Sequence, residues 1–469
     1  MANIVFLQKQ TEELLGPMYL SAMLKSHGHH CEIYVEPLEK SCIVEKALSS
    51  PNSPDIIAFS CLSTDFHWAL RKAEMVKKAS DVLTLLGGTQ ITLNPEAAIR
   101  NPHVDVLCRG EGEHPILELA EAVDAKGDFS HIPNLWVKNS KAILRNDLRD
   151  LIEDLDGLPF PDRSLYRKYP RFDTYACRPI HIGRGCPFNC SYCHNEAKRH
   201  IFSGKGTYVR CRSVDNVIDE IEHLKNTCQP RVLHFVDDSF GSDRRWTADF
   251  LEKLREQKGR KPILYANTRA DLVNETLCQA FTRYGSHLFR IRIALECADP
   301  HVRQSLLNKK LSNKDLYRCA DLFHRHKIPF VTYNMVGLPG EGPEKDLDTL
   351  KMNIQIKPTS ALCFVFQPFL GTQLAEHVIN KGYASREEIE ESGKGDYQGY
   401  YDSRSLLHQP GIRQSENIHR IFSLAVCCPC LYPLLSRATA FEKLSFLFDR
   451  LYGLFRRAFL WRRKRTDGF

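Results

Sequence analysis

The residues best equipped for chemistry stand together in thirteen positions, GRGCPFNCSYCHN, at 183–195. Cys186, Cys190 and Cys193 are spaced CxxxCxxC, between an extended run ending in HIGRG and a polar, basic segment. Three thiolates in so short a loop can wrap one face of a cubane iron–sulfur cluster, because thiolate is the soft ligand that iron prefers. A fourth ligand is not obvious nearby, so one iron would be left open, as a catalytic metal site requires. The same spacing also serves a zinc site, with His194 or His181 as fourth ligand, or belongs to three buried thiols.

Such a loop needs a scaffold, and 469 residues leave room for two or three domains with a large core. A composition of 43% hydrophobic and 26% charged residues is that of a soluble globular protein. The start, MANIVFLQKQ, lacks the basic and apolar stretches of a signal peptide, and no apolar run reaches the length of a spanning helix. Seventeen cysteines scattered along such a chain fit reduced thiols in a cytoplasm better than a disulfide framework. Of the net charge of +7, five units fall in residues 441–469, where eight Lys/Arg face three Asp/Glu. The rest is nearly balanced, which argues against a nucleic-acid partner.

Residues 1–135 alternate apolar runs (IVFLQ, CEIYVE, DIIAFSC, VLTLLGG, VDVLCRG) with stretches of helical period, for example Ala69, Ala73, Val76 and Ala79. Five strands alternating with helices imply an open parallel sheet covered on both faces, doubly wound as in Rossmann and flavodoxin-like folds. Ligands on such sheets bind beyond the carboxyl ends of the strands. Small and polar residues gather there: Ser60 and Thr64 in SCLST, Gly87 and Gly88 in GGTQ, and Gly110, Glu111 and Gly112 in RGEGE. Residues 136–175, with EDLDGLPFPDRSLY, read as a turn-rich linker. From 176 to 385 six further strands (RPIHIGRG, RVLHFVDDS, ILYANTRA, LFRIRIALE, PFVTYNMVGLPG, ALCFVFQPF) alternate with helices, among them the stripe Leu316, Cys319, Ala320 and Phe323 with Ser312 or Asn313 as N-cap. This pattern suggests a partial (β/α)₆ barrel with its chemistry at the strands' carboxyl ends.

The cysteine loop resembles that of the radical S-adenosylmethionine (radical SAM) superfamily, including Tyr192 as the aromatic residue before the third cysteine. The resemblance implies that Cys186, Cys190 and Cys193 hold a [4Fe–4S] cluster whose open iron takes the amino and carboxylate groups of SAM. It extends along the barrel in family order: Asp237 and Asp238 in FVDDSFG, Arg269 in ANTRADL, Glu296 in ALEC, Gly337 in NMVGLPGE and the turn QPFLGTQL. Asp237 and Asp238 stand at the SAM amino-group motif, Glu296 at a position that contacts SAM, and Gly337 where backbone lies against adenine. PDIIAFSCLSTDFHWAL and GGTQITLNPEAAIRNPHVDVLCRGEGE in turn resemble the cobalamin-binding domain that precedes many radical SAM barrels. One departure stands out. Many cobalamin domains place DxHxxG after the first strand to ligate cobalt from below; here the stretch is QKQTEELLGPMY, and His27, His29 and His30 fall at the opposite end of the sheet as solvated turn residues.

Residues 386–469 read as a mainly helical C-terminal segment. Cys427, Cys428 and Cys430 are poorly spaced for a second cubane. Leu444, Leu447, Phe448, Leu451, Leu454 and Phe455 make an amphipathic helix before a basic cluster, suited to packing on the barrel or to peripheral membrane contact. The family implies a cobalamin-dependent radical SAM methyltransferase acting on an unactivated carbon of a small-molecule, lipid or peptide substrate. A flavodoxin or ferredoxin would donate the electrons. A radical cyclase, oxidase or rearrangement catalyst with the same cofactors is the alternative, and a zinc-bound corrinoid or scaffold protein is the reading outside enzymes.

Overall fold

The computed structural model describes residues 1–139, 142–174, 177–392, 404–441 and 445–454. They fall into two units: Met1–Thr174 with Ala197–Arg212 and residues 391–392, and the cluster loop up to Glu196 with Ser213–Glu390 and the described residues from 404 onward.

In the first unit the strands are β1 (Asn3–Gln8), β2 (His30–Val35), β3 (Ile56–Ser60), β4 (Leu83–Gly87), β5 (Val106–Cys108), β6 (Leu135–Lys138) and β7 (Ile143–Arg145), in the order β2-β1-β3-β4-β5-β6-β7. The first five are parallel, as the near-continuous apolar runs require of strands buried on both faces. Ala69, Ala73 and Val76, on the helix Phe66–Ala79, pack without exposure against Ile57, Phe59 and Leu86. Ala79 is exposed. β6 and β7 add an antiparallel pair where the sequence suggests the start of a linker. Four- and three-residue strands carry too little alternation to read, and their anchor is a side-chain stack: Trp136 lies between the guanidiniums of Arg109 and Arg145, at 4.9 and 5.1 Å. His29, expected to be solvated, is buried and accepts the Ala2 amide at 3.1 Å; its place before β2, at the amino ends of the strands, is the expected one.

The second unit is a six-stranded sheet of β8 (Cys177–Ile180), β9 (Val232–Phe235), β10 (Ile263–Thr268), β11 (Phe289–Glu296), β12 (Phe330–Val336) and β13 (Ser360–Val365), parallel throughout and in chain order. Its first and last strands do not pair, so the barrel is open. Ile180, Leu233, Phe235, Leu264, Ala266, Ile291 and Ile293 face the helices, where Val217, Ile221, Leu316, Ala320 and Phe323 meet them. Ser312 is the N-cap of the helix Asn313–Arg325 and forms a capping box with Asp315. Over the last strand lies the helix Ile412–Cys427, whose Ile418, Ile421 and Phe422 pack against Ala361, Cys363 and Val365. Residues 445–454 are helical and seat Phe448 on this cluster; Leu444 and Phe455 lie outside the described residues.

The loop between β3 and β4 depends on one glycine. Cys61 donates its amide to the Gly87 carbonyl at 2.8 Å and accepts that of Gln90 at 3.1 Å. A Cβ on Gly88, whose φ is +97°, would lie 2.7 Å from the Cys61 carbonyl oxygen. Gly28 has a similar φ of +83° but open space around it. Gly88→Ala should therefore lower the thermal melting temperature clearly more than Gly28→Ala. Gly28→Ala carries only backbone strain of about 1–3 kcal/mol, and Gly88→Ala adds an overpacking cost of similar size.

Candidate functional site

The cysteine loop is held from beneath by residues far away in sequence. At its entrance, the amides of Ile182 and Gly183 donate to the Asp237 carboxylate at 2.9 and 2.8 Å. Further along, Asn308 donates from its side-chain amide to the Asn189 carbonyl at 2.7 Å. The Ser191 hydroxyl and amide donate to the Leu306 and Leu307 carbonyls at 2.6 and 3.1 Å. Arg269 lies flat against Phe188, 3.7 Å from the ring centre, and its Nη1 stands 4.0 Å from Cys190 Sγ. Tyr192, between Ser191 and Cys193, donates to Glu296 Oε1 at 2.7 Å, and Lys309 Nζ reaches the same oxygen at 3.0 Å and the Ala294 carbonyl at 2.7 Å. Lys309 is 2% exposed and Glu296 sits at a bulge with φ +68°.

Three thiols in one loop are the soft donor set that iron in a cubane takes. Among the described residues, no three His, Cys, Asp or Glu stand together as a ready-made site for a metal ion. That covers His181, His194 and the group Cys427, Cys428 and Cys430 as well. A cubane asks for thiolates set apart, each on its own iron. Burial pushes the thiols of Cys186 and Cys193 up to about 11 and about 12, with the Asp238 charge adding to both. They therefore remain protonated until a metal takes them, and loading the site releases protons.

The residues assigned to SAM by resemblance stand at the carboxyl ends of the barrel strands, but most are already engaged. Asp237 holds the loop entrance, and burial outweighs its amide partners to raise its pKa to about 7. Arg269 forks onto Asp271 at 3.0 and 2.8 Å and donates to the Lys310 carbonyl at 3.3 Å. Glu296 is bound to Tyr192 and Lys309. Gly337, expected against adenine, gives its amide to Asp346 at 3.2 Å, and Ile412 fills the side its missing Cβ would occupy. Asp238 is exposed beyond β9, within electrostatic reach of two of the cysteines. Lys309 and the turn Leu306–Lys310 escaped the sequence reading, since LLNKK has no motif and a lysine in a turn reads as solvated.

In the first unit the candidate loops all lie beyond the carboxyl ends of the parallel strands. The strand order places the topological switch point between β1 and β3. Ser60 is exposed there, and Lys9 donates to the Thr64 carbonyl at 3.2 Å while Gln10 donates to Asp65, tying the two loops together. The Gly110 amide donates to the Thr92 hydroxyl oxygen at 2.9 Å, and Gly112 packs on Leu20. Glu111 has protein partners at its carboxylate. Arg210 forks onto it at 2.9 and 3.2 Å and the Ile152 amide donates to it at 2.8 Å, which stitches the segment Ala197–Arg212 to this unit.

Family models agree with this division. The radical SAM superfamily matches residues 180–352, and the B12 binding domain matches residues 9–120. An uncharacterized methyltransferase of Pyrococcus horikoshii is 26% identical over 378 residues, 78% of this chain and 78% of that one. The anaerobic magnesium-protoporphyrin IX monomethyl ester cyclase of Rubrivivax gelatinosus is 25% identical over 382 residues, 77% of this chain and 66% of the relative. The fold superposes on the methyltransferase TsrM of Kitasatospora setae, solved with cobalamin and a [4Fe–4S] cluster, with a TM-score of 0.72 at 14% identity, covering 98% and 100% of the two chains.

The buried ion pair beneath the loop can be tested directly. Lys309→Met leaves the Glu296 carboxylate buried without its cation, and breaking such a pair costs about 3–5 kcal/mol. The variant should melt at a much lower temperature than the parent, and adding Glu296→Gln should restore part of the loss.

Proposed function

The chain belongs to the radical SAM enzymes that carry an N-terminal B12-binding domain, and on that footing we propose that it methylates an unactivated carbon. When bound, the cluster supplies the electron that cleaves SAM to a carbon radical, and the cobalamin supplies a transferable methyl group. The reading is supported above all by the pairing of two sites in one chain. One is a three-cysteine loop at the carboxyl ends of a parallel barrel; the other is a 2-1-3-4-5 sheet with no histidine in its first strand-to-helix turn.

In this proposal Cys186, Cys190 and Cys193 hold the cluster, and Arg269 and Tyr192 keep their loop in shape. Asp238, exposed beyond β9, is the carboxylate that would meet the SAM amino group. The loops Ser60–Thr64, Gly87–Gln90 and Gly110–Glu113 cradle the corrin with backbone groups, which leaves cobalt without a protein imidazole beneath it. A reduced flavodoxin or ferredoxin would deliver the electrons. The cyclase relative supports a second reading, in which the same cofactors close a ring. Product analysis separates the two. A methyltransferase should release S-adenosylhomocysteine and 5′-deoxyadenosine in about equal amounts, because one SAM gives methyl and another makes the radical. Turnover that forms the nucleoside without S-adenosylhomocysteine would favour the cyclase.

We also infer a peripheral membrane contact. Among the described residues no helix is long and apolar enough to cross a membrane. Yet Leu434, Phe441, Phe446, Leu447 and Leu454 are each at least half exposed near the C-terminus. The run RRAFLWRRKR at 456–465, outside the described residues, adds positive charge. The full chain should cosediment with anionic liposomes, less so as salt rises, and lose this when residues 441–469 are removed.

A further inference from the structure

The inner face of the barrel carries a cation that the cofactors do not explain. Side chains alternate along a strand, so residues between those facing the helices turn inward. On β11 these are Arg290, Arg292, Ala294 and Glu296, while β9 and β10 contribute His234, Tyr265 and Asn267. The Arg292 guanidinium lies over the Tyr265 ring at 4.9 Å, and its Nη1 donates to His234 Nε2 at 3.0 Å. His234 meets the same ring edge-to-face at 6.3 Å.

Other buried arginines meet oxygen acceptors. Arg269 has Asp271, Arg210 has Glu111, Arg420 has Asp449, and Arg303 has the carbonyls of Leu311 and Cys297 and the side chain of Asn313. Among the described residues Arg292 has no carboxylate within ion-pair distance, and an imidazole nitrogen is the sole acceptor there for its five N–H groups. A guanidinium partly withdrawn from water is expensive unless an anion meets it. Beside it, in register on β10, Asn267 gives its amide to the Asp237 carbonyl at 3.3 Å, but its own Oδ1 is buried with no donor. Two neighbouring groups thus lack partners of complementary kinds.

We propose that Arg292, oriented by His234 and Tyr265, binds an oxyanion of the substrate, carboxylate or phosphate-type, while Asn267 accepts from an N–H or O–H of the same molecule. This rests on the radical SAM reading above. Arg292 is four residues before Glu296, about 13 Å along the strand, and Glu296 touches Tyr192 beside Cys193. A substrate anchored by its anionic end at Arg292 would reach upward with the carbon to be attacked near the mouth. Arginine suits this task because its planar fork meets two oxygens at once.

The test is isothermal titration of the reconstituted full chain with inorganic phosphate and, separately, with benzoate. At least one should bind in the millimolar range, and which one does so distinguishes a phosphate-type from a carboxylate substrate. Arg292→Gln should weaken that binding about tenfold or more, the scale of a charged hydrogen bond. Arg292→Lys, which keeps the charge and guards against a folding artefact, should retain part of it. Failure of both anions to bind the parent chain, or binding unchanged in Arg292→Gln, would overturn the proposal. Iron content of the same samples reports on the cofactor reading independently of anion binding.

Discussion

Lys309 and Glu296 meet at 3.0 Å beneath the cysteine loop, both almost wholly out of water. Isolated, either charge would be intolerable there; together they are held by the Tyr192 hydroxyl and the Ala294 carbonyl. The pair joins three stretches that the sequence keeps apart: the end of β11, the turn after the helix Pro300–Ser305, and the loop with the cysteines. Burial and the neighbouring carboxylate push the Tyr192 phenol well above its ordinary value, so it stays a neutral donor. Because Glu296 sits at a bulge with positive φ, its carboxylate is aimed by the backbone before any partner arrives. The loop is therefore shaped in advance of its metal, and little ordering remains to oppose cluster binding.

The same economy explains why residues assigned to cofactors by resemblance turn out to be occupied. Asp237, Arg269, Glu296 and Gly337 stand where family order puts them, yet each spends its polar groups on the protein. They build the walls of the site. Glu111 plays the corresponding part in the first unit, where Arg210 and the Ile152 amide consume its carboxylate.

What was legible in the sequence was what local pattern dictates. Parallel strands buried on both faces leave apolar runs, and all eleven strands read from such runs are present. The stripes Ala69–Val76 and Leu316–Phe323 are buried as their periodicity requires. The cysteine spacing and the Ser312 cap are likewise local. Long-range partnerships left no trace. Nothing in LLNKK says that its first lysine will be buried under a loop more than a hundred residues earlier, and nothing in LWVK says that it will pair with β5. The amphipathic tail was legible only in half: Phe448 packs inward as its stripe suggests, while Phe446, Leu447 and Leu454 remain outside.

The arginines show how far charge bookkeeping can carry a reading of the interior. A sequence displays Arg269, Arg292 and Arg303 alike, at or near strand ends with no hint of their partners. In the fold Arg303 is wholly buried and satisfied by neutral oxygens, so it is structural. Arg269 is neutralised by Asp271 and braces the cysteines. Arg292 alone of the three meets an imidazole nitrogen and an aromatic face and, among the described residues, no carboxylate. Barrel strands present their inner side chains to whatever the barrel admits, and Arg292 stands on the same face of β11 as Glu296, with Ala294 between it and the polar end where the cluster loop is anchored. A positive group kept there against the cost of desolvation selects for substrates that bring the opposite charge, and it orients them along the barrel axis.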